Sequence, residues 1–275
     1  MVIPIKLEND FLEIEIIPEL GGRVNRLINK KNEFDWVWKN EKLKTSKVDK
    51  TANYDQNWQG GWEELFPNDA IEEFSWGFGL DHGETWSHSW VVESEGVDFL
   101  TLNTKNLESG SFLQKKYRLF ENKLRTDYKI KINFEDIFLF KLHLAIPIFE
   151  DCKIIGQFEN FTKVDEEFGN ILNTNKKDYF LNPSKNSNLF DFAYIESKSN
   201  TLNIQQGENL LNLKYDDIFL NYLWLFQSQG GWNNHNVLVI EPSSNGKKLF
   251  EDALITGEYK KGPDEISTYY EVKIT

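Results

Sequence analysis

Alternating polar and apolar positions recur along this chain and predict strands with one wet face. Residues Glu13–Ile16 alternate between glutamate and isoleucine, and the same period of two runs through Leu124–Ile132 and Thr268–Thr275. Antiparallel sheets commonly bury one face and leave the other in water, so this pattern favours them. Residues Val237–Ile240 are continuously apolar instead, which predicts a central strand.

One short helix and one long loop interrupt the predicted strands. Residues Lys247–Thr256 carry apolar side chains at helical spacing, and Gly257 follows where a helix would end. The polar segment between Trp38 and Trp58 has no sustained period and predicts a long loop, a kind of segment that often carries function. Without repeats or linker-like segments, the simplest prediction is one all-β domain over residues 1–275, a large antiparallel β-sandwich with very little helix.

Composition and charge narrow the class of ligand. The 275 residues are 40% hydrophobic and 15% aromatic, enough for a full core without disulfides or metals. The net charge of −13 disfavours nucleic acid and anionic membranes as partners, because no basic stripe offsets it. Phosphate clamps usually need more arginines than the four of this chain, so we expect a neutral small molecule as the partner.

The single cysteine, Cys152, allows neither an intrachain disulfide nor a cysteine-based zinc site. The N-terminus lacks a charged segment followed by an apolar one, and no apolar run approaches the length of a membrane span. We therefore expect a cytoplasmic protein, either a monomer or a homodimer.

The stretch from Asp81 to Trp90 is the richest in groups able to do chemistry. It contains two of the four histidines of the chain, interleaved with carboxylates and tryptophans. Imidazole exchanges protons near neutral pH, and indole offers a flat apolar wall for a sugar ring. The alternative is a half-buried strand with its tryptophans in the core and its histidines at the rim. If the stretch continues as a strand, one face carries His82, Glu84, Trp86, His88 and Trp90.

Three further features lie far from this stretch in sequence. Gly60-Gly61 allows a tight turn or a close backbone approach, in a predicted loop anchored by aromatic residues. His143 interrupts an apolar strand, where a hydrogen-bonded core residue is the commoner interpretation. Pro242 should end the strand that precedes it, which would put Glu241 at the rim of the sheet. Partial burial there would make Glu241 a better general base. The alternative is that Glu241 is simply a charged residue that lies outside the core and has no function.

Taken in order, these motifs resemble one family. Their order is similar to that of the aldose 1-epimerase family of the galactose mutarotase-like superfamily, over nearly the whole chain from about Ile14. The chain looks closest to a bacterial branch with a Gly-Gly-Trp-Glu-Glu-Phe-Pro-like loop. The motifs are Gly21-Gly22-Arg23-Val24, Glu33–Trp38, Gly61–Pro67, Asp81–Glu84, Leu139–His143, Gly230-Gly231-Trp232 and Ile240-Glu241-Pro242.

The resemblance implies a β-supersandwich, a sugar-sized cleft on one sheet and ring opening without a cofactor or a metal. Glu241 resembles the base that takes the proton of the anomeric hydroxyl, and His143 resembles the acid that protonates the ring oxygen. His82 resembles a second histidine that binds the sugar. Asp216 or Asp217 lies where the family tends to hold a sugar hydroxyl, and both stay candidates. Further candidate sugar contacts are Arg23, Trp36, Trp62, Glu63, Glu84, Trp86 and Trp232.

Three hypotheses follow, and the first is an aldose 1-epimerase-like enzyme acting on a neutral sugar. Family members carry an arginine in the loop that here reads Gln59–Trp62, whereas this chain has none between Arg26 and Arg118. The second hypothesis is a non-catalytic carbohydrate-binding protein on the same fold. An acid and a base together favour the enzyme, since binding alone needs neither. The third is a metal enzyme that holds iron or manganese through His82, Glu84 and His88.

Overall fold

The alternating segments form strands that assemble into two large sheets. The computed structural model describes residues 2–149, 152–164, 178–181 and 188–275. The helices are α1 (Tyr54–Asn57) and α2 (Phe250–Thr256). The strands are β1 (Ile5–Glu8), β2 (Leu12–Ile17), β3 (Arg23–Asn29), β4 (Phe34–Asp35), β5 (Trp62–Leu65), β6 (Glu73–Phe74), β7 (Gly77–Phe78), β8 (Val91–Glu95), β9 (Phe99–Asn103), β10 (Phe112–Phe120), β11 (Lys123–Ile132), β12 (Ile137–Phe138), β13 (Lys141–Pro147), β14 (Cys152–Ile155), β15 (Phe158–Lys163), β16 (Asp178–Leu181), β17 (Leu189–Ser197), β18 (Thr201–Gln206), β19 (Asn209–Tyr215), β20 (Tyr222–Gln229), β21 (Asn236–Ser243), β22 (Lys260–Lys261) and β23 (Asp264–Ile274).

Within the described residues, the first sheet has ten strands and the second has nine. The first follows the order β1-β2-β3-β5-β13-β21-β20-β17-β15, with β4 paired to β3. The second follows the order β16-β14-β18-β19-β23-β11-β10-β9-β8. The strands that position the site pair antiparallel, β13 lying between β5 and β21. The predicted all-β antiparallel sandwich with little helix is thus confirmed.

The two sheets bury one face of each against the other. Along β11 the side chains alternate between buried and more exposed, as expected of a strand with one wet face. Trp62 of the first sheet meets Tyr270 of the second at 6.5 Å between ring centroids. A polar cluster also lies between the sheets, where Lys115 Nζ is 2.5 Å from Glu64 Oε2 and the Tyr128 hydroxyl donates to Glu64 Oε1.

The other face of the first sheet is covered by a connecting segment. Every residue of β13 except Pro147 is buried, so both faces of this strand are shielded from water. The cover is the polar segment that follows β4, which includes α1 and brings the Trp58 ring against His143 at 5.0 Å. The first sheet therefore supports an apolar core on one side and a sheltered polar surface on the other.

Several local predictions are confirmed. Glu13–Ile16 lies in β2, Leu124–Ile132 in β11, and Thr268–Ile274 in β23. Helix α2 is followed by Gly257, in the left-handed conformation at φ 74°, as predicted, but it begins at Phe250 instead of Lys247. No helix among the described residues is long and apolar enough to cross a membrane.

Three local predictions are wrong. The stretch Asp81–Trp90 forms turns, because His82 and Gly83 have positive φ values of 59° and 78° that no strand accommodates. Residues Trp62–Leu65 form β5 instead of a loop. Pro242 does not end β21, which runs on to Ser243, so Glu241 lies inside the sheet instead of at its rim.

Candidate active site

Three ionisable side chains share one row across neighbouring strands of the first sheet. His143 on β13 is the direct partner of Glu63 on β5. The register of β13 with β21 also puts His143 opposite Glu241. Directly opposed residues point to the same face, with Cβ atoms about 5 Å apart. Strand pairing therefore gathers groups that are far apart in sequence onto one surface.

A buried lysine joins two buried carboxylates on this surface. Lys141 Nζ lies 2.5 Å from Glu241 Oε2 and 2.6 Å from Asp69 Oδ1. Burial raises the pKa of Glu241, and Lys141 opposes that rise only in part. Burial also disfavours the ionised form of Asp69, but Lys141 and His82 outweigh it and hold the pKa of Asp69 well below its usual range. Glu241 is therefore the more basic of the two carboxylates.

His82 reaches the site from a turn and is held there by two contacts. Its Nδ1 lies 2.7 Å from Asp81 Oδ1, and its ring stacks on Tyr54 with 3.9 Å between centroids. Its Nε2 lies 3.9 Å from Asp69 Oδ1. The turn requires glycine at position 83, because a Cβ there would collide with the backbone oxygen of Phe66.

His143 is enclosed by aromatic rings. Its Nδ1 lies 3.3 Å from the Tyr54 hydroxyl, and the Trp58 ring meets it nearly at right angles. Burial lowers the pKa of His143 well below its usual value, and the charges of Lys141 and His82 lower it further. At neutral pH this imidazole is uncharged.

A second buried group stands behind His143. The Tyr54 hydroxyl donates to Glu63 Oε1 at 2.6 Å. Burial raises the pKa of Glu63 to about 7, while Arg23 and Tyr54 oppose the rise. Arg23 itself is 3% exposed and donates to Gln59 Oε1 at 3.3 Å. The turn at Gly61 makes room for this guanidinium, since a Cβ there would lie 2.8 Å from Arg23 Cδ.

His82, His143 and the buried group of Lys141, Asp69 and Glu241 line a cleft on the covered face of the first sheet, whose space amounts to about 550 Å³ including its open, solvent-filled mouth. The catalytic candidates form its floor, and Asp55 and Lys248 contribute charged groups to its lining. A cleft with apolar walls and a few convergent polar groups is typical of small-molecule sites. Its aromatic walls are Trp58, Phe192, Phe226 and Trp232.

The structure brings together four of the residues singled out in the sequence. Glu241, His143, His82 and Trp232 all line the cleft. Glu63 and Arg23 lie one layer behind it, 1% and 3% exposed, and contact other side chains instead of the open space.

Four further candidates lie elsewhere, and their prediction as sugar contacts needs correction. Trp36 and Trp62 are at most 1% exposed and belong to the hydrophobic core. Trp86 packs edge-on against Tyr54 and donates its indole N–H to a backbone oxygen in the turn. Glu84 accepts hydrogen bonds from the backbone N–H groups of the segment that precedes β10.

Asp216 and Asp217 also lie away from the cleft. Both belong to the turn between β19 and β20, where Asp216 Oδ1 accepts the backbone N–H of Ile218. Asp217 Oδ1 accepts a hydrogen bond from the Asn200 side chain at 3.2 Å and lines a separate cavity. Neither belongs to the cleft lining that the described residues form.

The three groups of the metal hypothesis have separate partners. His88 Nε2 lies 2.8 Å from the backbone oxygen of Lys105, whereas His82 faces the cleft and Glu84 binds backbone amides. In the described part of the chain, no group of three or more histidine, cysteine, aspartate or glutamate side chains is arranged to hold a metal ion.

Three residues of the site are absent from the sequence-based candidates. Lys141 precedes His143 by two positions on the same strand, so the two side chains share a face. The period of two in strands could have predicted Lys141 as a neighbour of His143. Asp69 lies two residues after Pro67, which ends the Gly61–Pro67 motif, so its position in the sequence was already close to a candidate segment. Tyr54 lies in a polar segment with no periodicity, and only the fold brings it to the site.

Comparison with solved structures identifies the fold. No protein-family model matches the sequence. A galactose mutarotase-like protein from Lactobacillus casei ATCC 334 superposes with a TM-score of 0.73 at 15% identity, over 99% of this chain and 100% of that one. The chain has the galactose mutarotase-like fold. A galactose mutarotase-like protein from Clostridium acetobutylicum agrees, with a TM-score of 0.69 at 15% identity over 99% and 95% of the two chains.

A galactose mutarotase related enzyme from Lactobacillus acidophilus also shares the galactose mutarotase-like fold. Its TM-score is 0.70 at 12% identity, over 99% of this chain and 97% of that one. The fold implied by the resemblance of the motifs is therefore confirmed, whereas the activity, the sugar and the residue roles stay predictions.

Proposed function

We propose that this protein is an aldose 1-epimerase-like enzyme that interconverts the anomers of a neutral sugar. The observation that carries the proposal is that Glu241 and His143, which the register of their strands places opposite each other, both line one aromatic-walled cleft. Ring opening needs a base at the anomeric hydroxyl and an acid at the ring oxygen, acting on one bound molecule. A sheet row supplies both at a fixed spacing.

In this proposal Glu241 takes the proton of the anomeric hydroxyl while His143 protonates the ring oxygen. The ring opens, the carbonyl rotates, and the reverse proton transfers close the other anomer. The raised pKa of Glu241 favours its role as a base, since burial increases its affinity for the proton. His82 holds a sugar hydroxyl, and the aromatic walls pack on the apolar face of the ring. The reaction requires no metal and no organic cofactor.

The test measures anomer exchange by polarimetry or NMR across neutral hexoses, pentoses and 6-deoxysugars. Glu241→Gln and His143→Asn should each lower turnover by roughly 100-fold, the scale of a positioned proton-transfer group. Sugar affinity should change little, because the lost interactions belong to the transition state. The double variant should fall well short of the product of the two losses.

His88→Asn is the matched control, because His88 binds a backbone oxygen outside the cleft. It should keep turnover within a few-fold of the wild type. A folded Glu241→Gln variant with nearly full activity would overturn the proposed mechanism.

A non-catalytic carbohydrate-binding protein is the second candidate, and one contact favours it. Lys141 Nζ lies 2.5 Å from Glu241 Oε2, so a cation already engages the proposed base. In a binding protein the same pair would serve to hold sugar hydroxyls. Sugars that bind by calorimetry but exchange anomers only at the buffer rate would support this candidate.

A further inference from the structure

The burial of His143 raises a difficulty that the proposed function must meet. The imidazole is neutral at physiological pH, because its enclosure and the nearby Lys141 ammonium disfavour the charged form. A neutral imidazole gives up its Nε2 proton readily only if Nδ1 gains one at the same time, since imidazolate is very unstable. An acid should therefore stand on the Nδ1 side of the ring.

The structure provides a hydrogen-bonded chain on that side. The Tyr54 hydroxyl lies 3.3 Å from His143 Nδ1 and 2.6 Å from Glu63 Oε1. His143, Tyr54 and Glu63 are 7%, 3% and 1% exposed, so bulk water has little access to the chain. Among the described residues none donates a hydrogen bond to Glu63 Oε2. This carboxyl group makes no contact with the cleft and has no evident role in holding a sugar.

We propose that Glu63 and Tyr54 form a proton relay that supplies and recovers the proton of His143. This inference rests on the proposed function. During ring opening the Glu63 carboxyl passes its proton to the Tyr54 oxygen, Tyr54 passes its own to His143 Nδ1, and Nε2–H moves to the ring oxygen. The ring C–O bond breaks as the anomeric hydroxyl loses its proton to Glu241. Ring closure runs each transfer backwards, so no net proton is gained or lost.

The charges around the relay suit this task. Burial raises the pKa of Glu63 to about 7, so both of its forms are populated near neutral pH, as an efficient acid–base group requires. Arg23, Glu64 and Lys115 are the charged groups that act on Glu63. Burial raises the pKa of Tyr54 well above its usual value, and the charges of Glu63, Glu241 and Asp55 add to the rise. Tyr54 therefore passes a proton on without storing a charge. The charges acting on His143 are those of Lys141, His82 and Asp69.

The relay predicts that the state of Glu63 selects the tautomer of His143. With Glu63 protonated, Tyr54 donates to Nδ1 and the proton of the imidazole is on Nε2. With Glu63 ionised, Tyr54 donates to Glu63 and accepts from Nδ1–H. The tautomer should thus switch as the pH rises through about 7, the value to which burial brings Glu63.

Histidine ¹⁵N NMR on the sugar-free protein tests this directly, with His143→Asn used to assign the signal. The switch should occur in the wild type and disappear in Tyr54→Phe and Glu63→Gln. Tyr117→Phe is the matched control, because Tyr117 is also fully buried but donates to the backbone oxygen of Gly22. A single His143 tautomer across this pH range in the wild type, or a switch that survives in Tyr54→Phe, would overturn the relay.

Kinetics provide the second arm of the test. Tyr54→Phe should lower kcat by roughly 100-fold with KM within a few-fold of the wild type, since it removes the relay hydroxyl but keeps the ring that lines the cleft and stacks on His82. The wild-type kcat should fall as the pH rises above about 7, and Glu63→Gln should lack this limb. A Tyr54→Phe enzyme with kcat within three-fold of an active wild type would contradict the relay. If the wild type exchanges no sugar at all, the proposed function fails while the NMR result still decides the relay.

Discussion

Replacing Lys141 with methionine should destabilise the protein strongly. The ammonium lies 2.6 Å from Asp69 and 2.5 Å from Glu241, and all three residues are at most 2% exposed, so water screens these charges little. Methionine keeps most of the length of the side chain but leaves two buried carboxylates without the ammonium that contacts them both. Removing one partner of a buried ion pair costs about 3–5 kcal/mol.

This loss converts into a shift of the melting temperature. An unfolding entropy of roughly 2.1 cal/mol/K per residue gives about 0.6 kcal/mol/K for 275 residues. Lys141→Met should therefore melt about 5–9 °C below the wild type.

The destabilisation should grow with pH. In the wild type the pKa of Asp69 is held low, so its contribution is present above the unfolded pKa and is lost as the pH falls through the folded pKa. In the variant, burial without the ammonium would put the pKa of Asp69 above its unfolded value and would raise the pKa of Glu241, already raised in the wild type, still further. The folded variant then loses stability as the pH rises through that window. The wild-type contribution of Asp69 is complete above about pH 5, so between about pH 5 and about pH 8 the gap widens through the raised pKa values of the variant.

Calorimetric melting at about pH 5 and about pH 8 measures the effect, with Lys131→Met as the control. Lys131 pairs with Glu265 at 3.5 Å, but the two side chains are 56% and 77% exposed, so its loss should cost less than about 1 kcal/mol. A Lys141→Met protein that melts within about 2 °C of the wild type at both pH values, or a gap that narrows at the higher pH, would refute the reasoning.

Three further predictions concern the cleft, the turn that supports it and the cysteine. Sugar binding should change tryptophan fluorescence, and Trp232→Phe should remove most of the change, because Trp232 is only partly buried in the cleft wall; binding by calorimetry without a spectral change would count against this position. Gly83→Ala should lower the urea midpoint of unfolding and weaken sugar binding, because its Cβ would collide with the Phe66 backbone beside His82. The control is Gly110→Ala, which has φ 69° and nothing within 4 Å of the added Cβ, and it should show only the backbone cost of about 1 kcal/mol. Equal urea midpoints for the two variants would contradict this prediction. Burial raises the pKa of Cys152 to about 12, so its thiol should resist a thiol reagent at about pH 8 until urea unfolds the protein. Rapid labelling of Cys152 in the native protein would contradict its burial in the core.

The sequence predicts those parts of the fold in which burial and periodicity agree. Strand β11 has one wet face, so its side chains alternate in polarity and in burial. Strand β5 is buried on both faces and yet contains Glu63 and Glu64, so neither alternation nor an apolar run marks it. Its glutamates lie there because each has a buried partner, and such partners become visible only once the strands are paired.

Only part of the candidate site was predictable from the sequence, since Glu241, His143, His82 and Trp232 line the cleft but their arrangement and several of their neighbours depend on the fold. Glu241 was expected at the rim of the sheet, because proline usually ends a strand inside a sheet. The pairing of β21 with β13 is instead interrupted only between Ile240 and Ser243, and the strand continues along β20. Local rules of strand formation cannot anticipate this, because a neighbouring strand on the other side provides the hydrogen bonds.

The consecutive carboxylates of β5 point to opposite sides of a single strand, Glu63 towards Tyr54 and Glu64 towards Lys115 and Tyr128. A slip of β5 by one position would exchange the two faces and leave buried charges without partners on both sides. The contacts of Glu64 in the interior of the sandwich therefore fix the register of β5, and with it the position of Glu63 behind the cleft. Replacing a buried ion pair such as Glu64 and Lys115 with well-packed apolar residues is often neutral or stabilising, but here it would take the acceptor from the Tyr128 hydroxyl and remove the contacts that fix the register of Glu63 beside His143. In this chain, optimising the core and preserving the active-site alignment are a single design problem.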